Sequence, residues 1–361
     1  MSKQPYLVIA LLILMAALLT NCAAPAAAPA GTAAPPAAVP ADTAAPPAAP
    51  DASSDDSAPA KEFKMASLFP GVITDADYNT LGYIGATEAG KSLGIETAYS
   101  ESVPVPDVER AMREYIDDGY NIIFTHGGQF VNQTLTVAQE FPDVYFIAEG
   151  DAPVDNPPPN VWVIDRNFHT GFYGVGALAA LATQTGKIGY LGGLTLPFSN
   201  AEVHAMQQAI DDLGLDVELK PVWVGDFNDP TKARELADAM IAENIDVIVG
   251  SLNLGMLGVF EAAKSSSQPV WITAKYSDKS SFAPDQYVSS LLYDFAGPLQ
   301  AIVSKIMAGE SGGYYPLGFD TGVSLQEPQH VSDEVRAQVD EITAKLISGE
   351  IKVVKNTDPV E

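Results

Sequence analysis

Short runs of β-branched and aromatic residues recur from residue 63 onward, separated by longer stretches of helical pattern. The runs Phe63 to Phe69, Ile95 to Tyr99, Asn121 to Thr125, Val144 to Ala148 and Val161 to Ile164 read as strands. So do Ile188 to Leu191, Val217 to Val224, Val247 to Val249, Val270 to Ala274 and Tyr287 to Leu292. Helices are predicted between most of them, for example over Asp107 to Asp118, Ala201 to Leu213, Pro230 to Glu243 and Gly255 to Ala263. The helix after Phe227 has a legible start, because Asn228 or Asp229 can accept from orphan backbone N–H groups and Pro230 suits the first turn. Repeated strand–helix units imply parallel sheets with helices on both faces. Ligands of such sheets sit beyond the carboxyl ends of the strands, so candidate site residues are those that follow strands.

Ahead of the first strand the pattern changes. Lys3 precedes the unbroken apolar run Leu7 to Leu19, and Leu19-Thr20-Asn21-Cys22 follows. A run of about 13 residues is short of the roughly 20 needed to span a bilayer but fits the apolar core of an export signal. Its end resembles the lipobox of bacterial lipoproteins, in which the cysteine is lipidated and becomes the mature N-terminus. Asn21 stands where Gly, Ala or Ser is usual, and a plain secretory signal is the alternative. Residues 1–21 are thus expected to be a signal peptide and Cys22 a lipidation site. Residues 22–61 are expected to form a disordered stalk. Ala23 to Ala60 is almost wholly Ala, Pro, Thr, Ser and Asp, with Val39 the only larger aliphatic, and cannot bury enough apolar surface to offset the entropy of ordering. The folded part is expected outside the cytoplasm, tethered to a bacterial membrane through the lipid anchor alone.

Roughly 300 residues remain, beyond the size at which one hydrophobic core usually keeps growing, so two lobes are expected. The net charge of −27 argues against nucleic acid and against docking on anionic headgroups. With one cysteine, reserved for the anchor, no disulfide is expected. His126, His169, His204 and His330 lack metal-ligand spacing, and neither metal nor cofactor is expected.

The strand ends supply the candidate chemistry. The segments are Asp75 to Asn79, Thr125 to Gln129, Gly225 to Pro230, Gly250 to Asn253, Lys275 to Asp278 and Tyr293 to Phe295. Their theme is an aromatic ring beside an amide or carboxylate. Rings stack on the faces of a flat molecule, while Asn, Gln and Asp read its edge. The candidates are Asp75, Tyr78, Asn79, Thr125, His126, Gln129, Phe227, Asn253, Lys275, Tyr293 and Asp294. An Asp or Asn after a strand is as often a cap or turn former, and packing between lobes is the alternative for Tyr78 and Phe227.

Several segments, in order and spacing, resemble the basic membrane protein family of bacterial lipoproteins, which are purine nucleoside or nucleobase receptors of ABC importers. Asp75-Ala76-Asp77-Tyr78-Asn79 is similar to the family's Asp-x-x-Phe-Asn segment, and Pro142-Asp143-Val144-Tyr145-Phe146 to its Pro-Asp-Val-x-Phe strand. Gly176 to Ala180, Gly186 to Gly193 and Gly225 to Pro230 complete the set. The resemblance implies a type I periplasmic-binding-protein fold, with two doubly wound parallel-sheet lobes joined by a hinge. Residues 62–167 with 293–313 would form one lobe and 168–292 with 314–361 the other. It also implies that Tyr78 and Phe227 sandwich a base, with Asp75 and Asn79 on the same wall, and that a monomer delivers its ligand to a permease and its ATPase. Nucleoside-binding members carry an aspartate and a lysine against the ribose where this chain has Lys275 and Tyr293. A free, adenine-like purine base is therefore expected ahead of a nucleoside.

Gly85 to Ser92 also satisfies the phosphate-loop pattern G-x-x-x-x-G-K-[ST], which works only between a strand and a helix. Here the preceding residues continue a helical pattern, so the two glycines are expected on a helix face. The remaining alternative is a ligand sensor or a cell-surface hydrolase on the same scaffold, with Asp75 and His126 as its catalytic groups.

Overall fold

Every strand expected from the apolar runs is present in the computed structural model, which describes residues 62–360. The expected signal peptide, the lipidation site Cys22 and the Ala/Pro-rich stalk lie outside the described residues. In chain order the first elements are β1 (Lys64–Leu68), α1 (Tyr78–Leu93), β2 (Glu96–Ser100), α2 (Val108–Asp117), β3 (Ile122–Thr125), α3 (Val131–Glu140), β4 (Tyr145–Gly150) and β5 (Val161–Asp165). The next are α4 (Phe168–Ala182), β6 (Lys187–Gly192), α5 (Pro197–Leu213), β7 (Glu218–Trp223), α6 (Pro230–Ala242), β8 (Val247–Ser251), α7 (Met256–Ser265) and β9 (Trp271–Tyr276). The last are β10 (Tyr287–Tyr293), α8 (Ala296–Met307), β11 (Gly313–Pro316), β12 (Val323–Leu325) and α9 (Asp333–Ser348).

Two six-stranded sheets result, ordered β11-β5-β4-β3-β1-β2 and β12-β10-β9-β8-β6-β7. All pairings are parallel except β10 with β12. Strands such as β3, β5 and β8 are buried along their whole length, which is why they read as unbroken apolar runs. Helix α4 is buried on nearly every side, between α5, α9 and the second sheet, and its sequence is apolar all round. The start of α6 follows the sequence: Asp229 accepts from Lys232 N at 2.9 Å and Pro230 is the first helical residue.

The chain leaves the first sheet after β5, returns to its lobe through α8, which packs on α1, and crosses again from β11 to β12. The boundaries differ from those expected at two places. Tyr314, Tyr315 and Pro316, expected in the second lobe, pair with β5 in the first sheet. Tyr293, expected to open the returning segment, is the last residue of β10 in the second sheet. Strands of three or four residues at a sheet edge have too few inward positions to show a period of two. The phosphate-loop pattern lies wholly within α1, with Gly85 and Gly90 on its buried face.

Candidate functional site

The carboxyl ends of the two sheets face each other across a cavity of about 580 Å³. Nearly every central strand contributes to it: Gly71 after β1, Gln129 after β3, Asp151 after β4 and Arg166 after β5 from one lobe. The other lobe supplies Phe198 after β6, Phe227 and Asn228 after β7, Asn253 after β8 and Tyr276 at the end of β9. This is the position at which open α/β sheets hold ligands.

Tyr78 forms the centre of the first lobe's wall. Its hydroxyl donates to Glu149 Oε1 at 2.6 Å and accepts from Arg166 Nη1 at 2.8 Å. Burial pushes that hydroxyl's pKa well above its ordinary value; Arg166 opposes the shift and Glu149 adds to it. Behind the ring lies His126, whose Nε2–H donates to the Tyr78 carbonyl at 2.9 Å. Its Nδ1 lies 2.6 Å from Glu149 Oε2. The ring fits there because residue 82 on α1 is glycine: a Cβ would come within 2.6 Å of the imidazole.

Arg166 grips Asp151 with two parallel bonds, Nε to Oδ1 at 2.8 Å and Nη2 to Oδ2 at 2.5 Å. Its guanidinium lies 4.7 Å from the Phe168 ring centroid and 5.3 Å from those of Tyr78 and Phe198. Burial alone would lower its pKa, but Asp151, Tyr78 and Glu149 together hold it well above the ordinary value. Among the described residues lining the cavity, Arg166 is the one cation and Asp151 the one carboxylate, and buried Glu149 lies behind them 3.6 Å from Arg166.

On the second lobe Phe198 and Phe227 are nearly parallel, 17° apart with centroids separated by 6.3 Å. Phe227 needs Gly193 beside it, since a Cβ there would collide with its ring. Tyr276 has φ 78°, a left-handed backbone that is rare for a bulky residue and is found where surrounding structure imposes it. Its ring centroid lies 5.8 Å from that of Tyr78.

Of the candidates read from sequence, Tyr78, Asn79, Gln129, Phe227 and Asn253 line this cavity together. Six do not. Asp75 is buried and organises the loop, accepting from the backbone of Asp77, Asn79 and Thr80 and from Asn79 Nδ2. Thr125 pairs with Thr134 at 2.8 Å in the interior. His126 stands behind Tyr78. Lys275 points into the second lobe, where Nζ lies 2.5 Å from Glu202 Oε1 and 3.5 Å from the Phe168 centroid. Burial lowers its pKa against the pull of Glu202. Tyr293 is buried beside Phe168, and Asp294 caps α8 through Ala296 N at 2.8 Å. Arg166, Asp151, Phe198 and Tyr276 stand outside the expected set. The rule that points to strand ends, applied evenly to β4, β5, β6 and β9, selects all four.

A ligand cavity between the facing ends of two parallel-sheet lobes defines a bilobal solute-binding protein. Residues 63–357 match the family model for the PnrA-like ABC transporter substrate-binding proteins, and the chain belongs to that family. It is 26% identical over 307 residues to basic membrane protein A of Borreliella burgdorferi, covering 82% of this chain and 89% of that one. It is also 26% identical over 262 residues to a purine-binding protein of Brucella abortus, covering 71% and 72%. A crystal structure of an ABC transporter solute-binding protein from Aeropyrum pernix K1 superposes with a TM-score of 0.71 at 21% identity, covering 82% of this chain and 94% of that one, which shows the shared fold.

Proposed function

We propose that this protein is the extracytoplasmic receptor of an ABC importer for a free purine base such as adenine, or a comparably flat neutral heterocycle. The carrying observation is the composition of the cavity wall: aromatic rings from both lobes, Tyr78 and Tyr276 with Phe198 and Phe227, and amides at the rim from Gln129, Asn228 and Asn253. Rings offer faces to a planar guest, and amides offer both donors and acceptors to its edge. Arg166 is already held by Asp151 and flanked by Glu149, which disfavours an anionic guest. Lys275 and Tyr293, which the family resemblance sets at the ribose-contacting positions, are buried and do not line the cavity, so a sugar hydroxyl would lose water without gaining a partner from them. The purine-binding relative supports the same reading.

The lobes close on the base and present it unchanged to the permease and its ATPase, the protein being held at the membrane as a monomer through lipidated Cys22. Asp75 and His126, the pair a hydrolase would use, do not line the cavity: both Asp75 oxygens accept from its own loop, and His126 Nε2 donates to the Tyr78 carbonyl. Calorimetric titration with adenine, guanine, hypoxanthine, adenosine and glucose tests the assignment. Tightest binding of a free base is expected; a preference for glucose or for the nucleoside would overturn it.

A further inference from the structure

Asp77 and Lys279 come from different lobes and meet in the interior. Asp77 lies in the loop between β1 and α1 and is 1% exposed; Lys279 lies in the loop between β9 and β10 and is 4% exposed. Lys279 Nζ is paired with Asp77 Oδ1 and donates to the Lys275 carbonyl and to Ser277 Oγ, both at 2.9 Å, so its three protons are all placed. Ser277 Oγ donates to the same Asp77 oxygen at 3.0 Å. Each side of the contact is one residue from a cavity ring: Asp77 precedes Tyr78, and Ser277 follows Tyr276. On each side a non-glycine residue next to the contact is left-handed, Ala76 at φ 63° and Tyr276 at φ 78°.

We propose that Asp77 and Lys279 form an interlobe closure pair, made only when the lobes shut, that fixes the spacing of Tyr78 against Tyr276. Opening the lobes returns both charges to water, whereas closing them strips both of hydration. The attraction does not fully offset that loss: burial pushes the Asp77 carboxyl up to about 6 even though Lys279 opposes the shift. The pair is therefore a register rather than a spring. Closure is penalised most when one partner is missing, because the other charge is then buried alone. The inference rests on the two-lobed solute-binding role and not on which solute is bound.

Two readouts test it on the full chain with Cys22→Ser, carrying spin labels at Glu88→Cys and Glu235→Cys, which are exposed on opposite lobes. The variants are Lys279→Met, Asp77→Asn, their combination, and Lys279→Arg. In pulsed dipolar distance distributions recorded without added solute, the short-distance, closed population is expected to shrink in each single neutralising variant and to return toward wild type in the double variant and in Lys279→Arg. Adenine affinity is expected to fall roughly tenfold or more in each single variant and to recover to within about threefold in the double. Unchanged distances in both single variants, or single effects that simply multiply in the double, overturn the proposal. The distance measurement decides the matter even if adenine is not the solute.

Discussion

Tyr78 and His126 stack with ring centroids 3.9 Å apart and planes 24° apart, so the ring that fronts the cavity is backed by one that is itself fully buried. His126 thereby positions Tyr78 rather than meeting a ligand. His126→Ala is expected to lose on the order of 2–4 kcal/mol of stability through the cavity it leaves, and to weaken solute binding by releasing the Tyr78 ring. Chemical denaturation and calorimetry measure the two effects; a variant with weakened stability and unchanged affinity would show that the stacking does not hold the wall.

Truncating the rings themselves should act on binding, with little effect on the fold at half-buried Phe227 and an added stability loss at Tyr78, whose hydroxyl bridges buried Glu149 and Arg166. Base–aromatic stacking is worth roughly 1–3 kcal/mol per base, so Phe227→Ala and Tyr78→Ala are each expected to weaken purine binding by about 5-fold to more than 100-fold. Wild-type affinity in both would remove these rings from the ligand's faces.

Lys275 and Glu202 make the opposite case. Both side chains are fully buried, and Glu202 also accepts from Tyr190 Oη at 2.7 Å. Lys275→Met strands the carboxylate and is expected to cost about 3–5 kcal/mol of stability, while Lys275→Met with Glu202→Leu costs far less. Equal losses in the single and double variants, measured by urea unfolding, would contradict the pairing.

His169 sets a pH dependence. Burial, with a smaller contribution from Lys355, lowers its pKa to about 4, below the ordinary value near 6.5. The unfolded chain then takes up a proton first as pH falls, so this stabilisation is complete above about 6.5 and is lost progressively down to about 4. Asp77, raised to about 6, works in the reverse direction over an overlapping range. The comparison that isolates the histidine is therefore between wild type and His169→Gln. Between pH 7 and pH 4.5 the wild type is expected to lose more unfolding free energy, by roughly 1–3 kcal/mol; identical losses would contradict it.

The sequence made the sheets legible wherever burial on both faces leaves a strand continuously apolar, as in Ile122 to Thr125 and Val161 to Asp165. It concealed β11 and β12, whose Gly-Tyr-Tyr-Pro and Val-Ser-Leu are short edge pieces. The wall was half legible. Phe227 stands in a loop that ends in a helix cap, and Tyr78 opens a helix, so both follow strands in plain view. The direction of a side chain at a strand end is harder to read. Lys275 and Tyr276 are consecutive, yet one enters the lobe interior and the other the cavity, and only the second has the left-handed backbone. His126 follows β3 as a ligand residue would, but the small space beside Gly82 draws it behind Tyr78.

The proposed occupant of the cavity is a free planar base. Mass spectrometry of small molecules released by denaturing the natively purified protein addresses it directly. A purine base is expected to be recovered intact and in near-stoichiometric amount; a sugar, a peptide or an intact nucleoside in its place would rule out a free-base receptor.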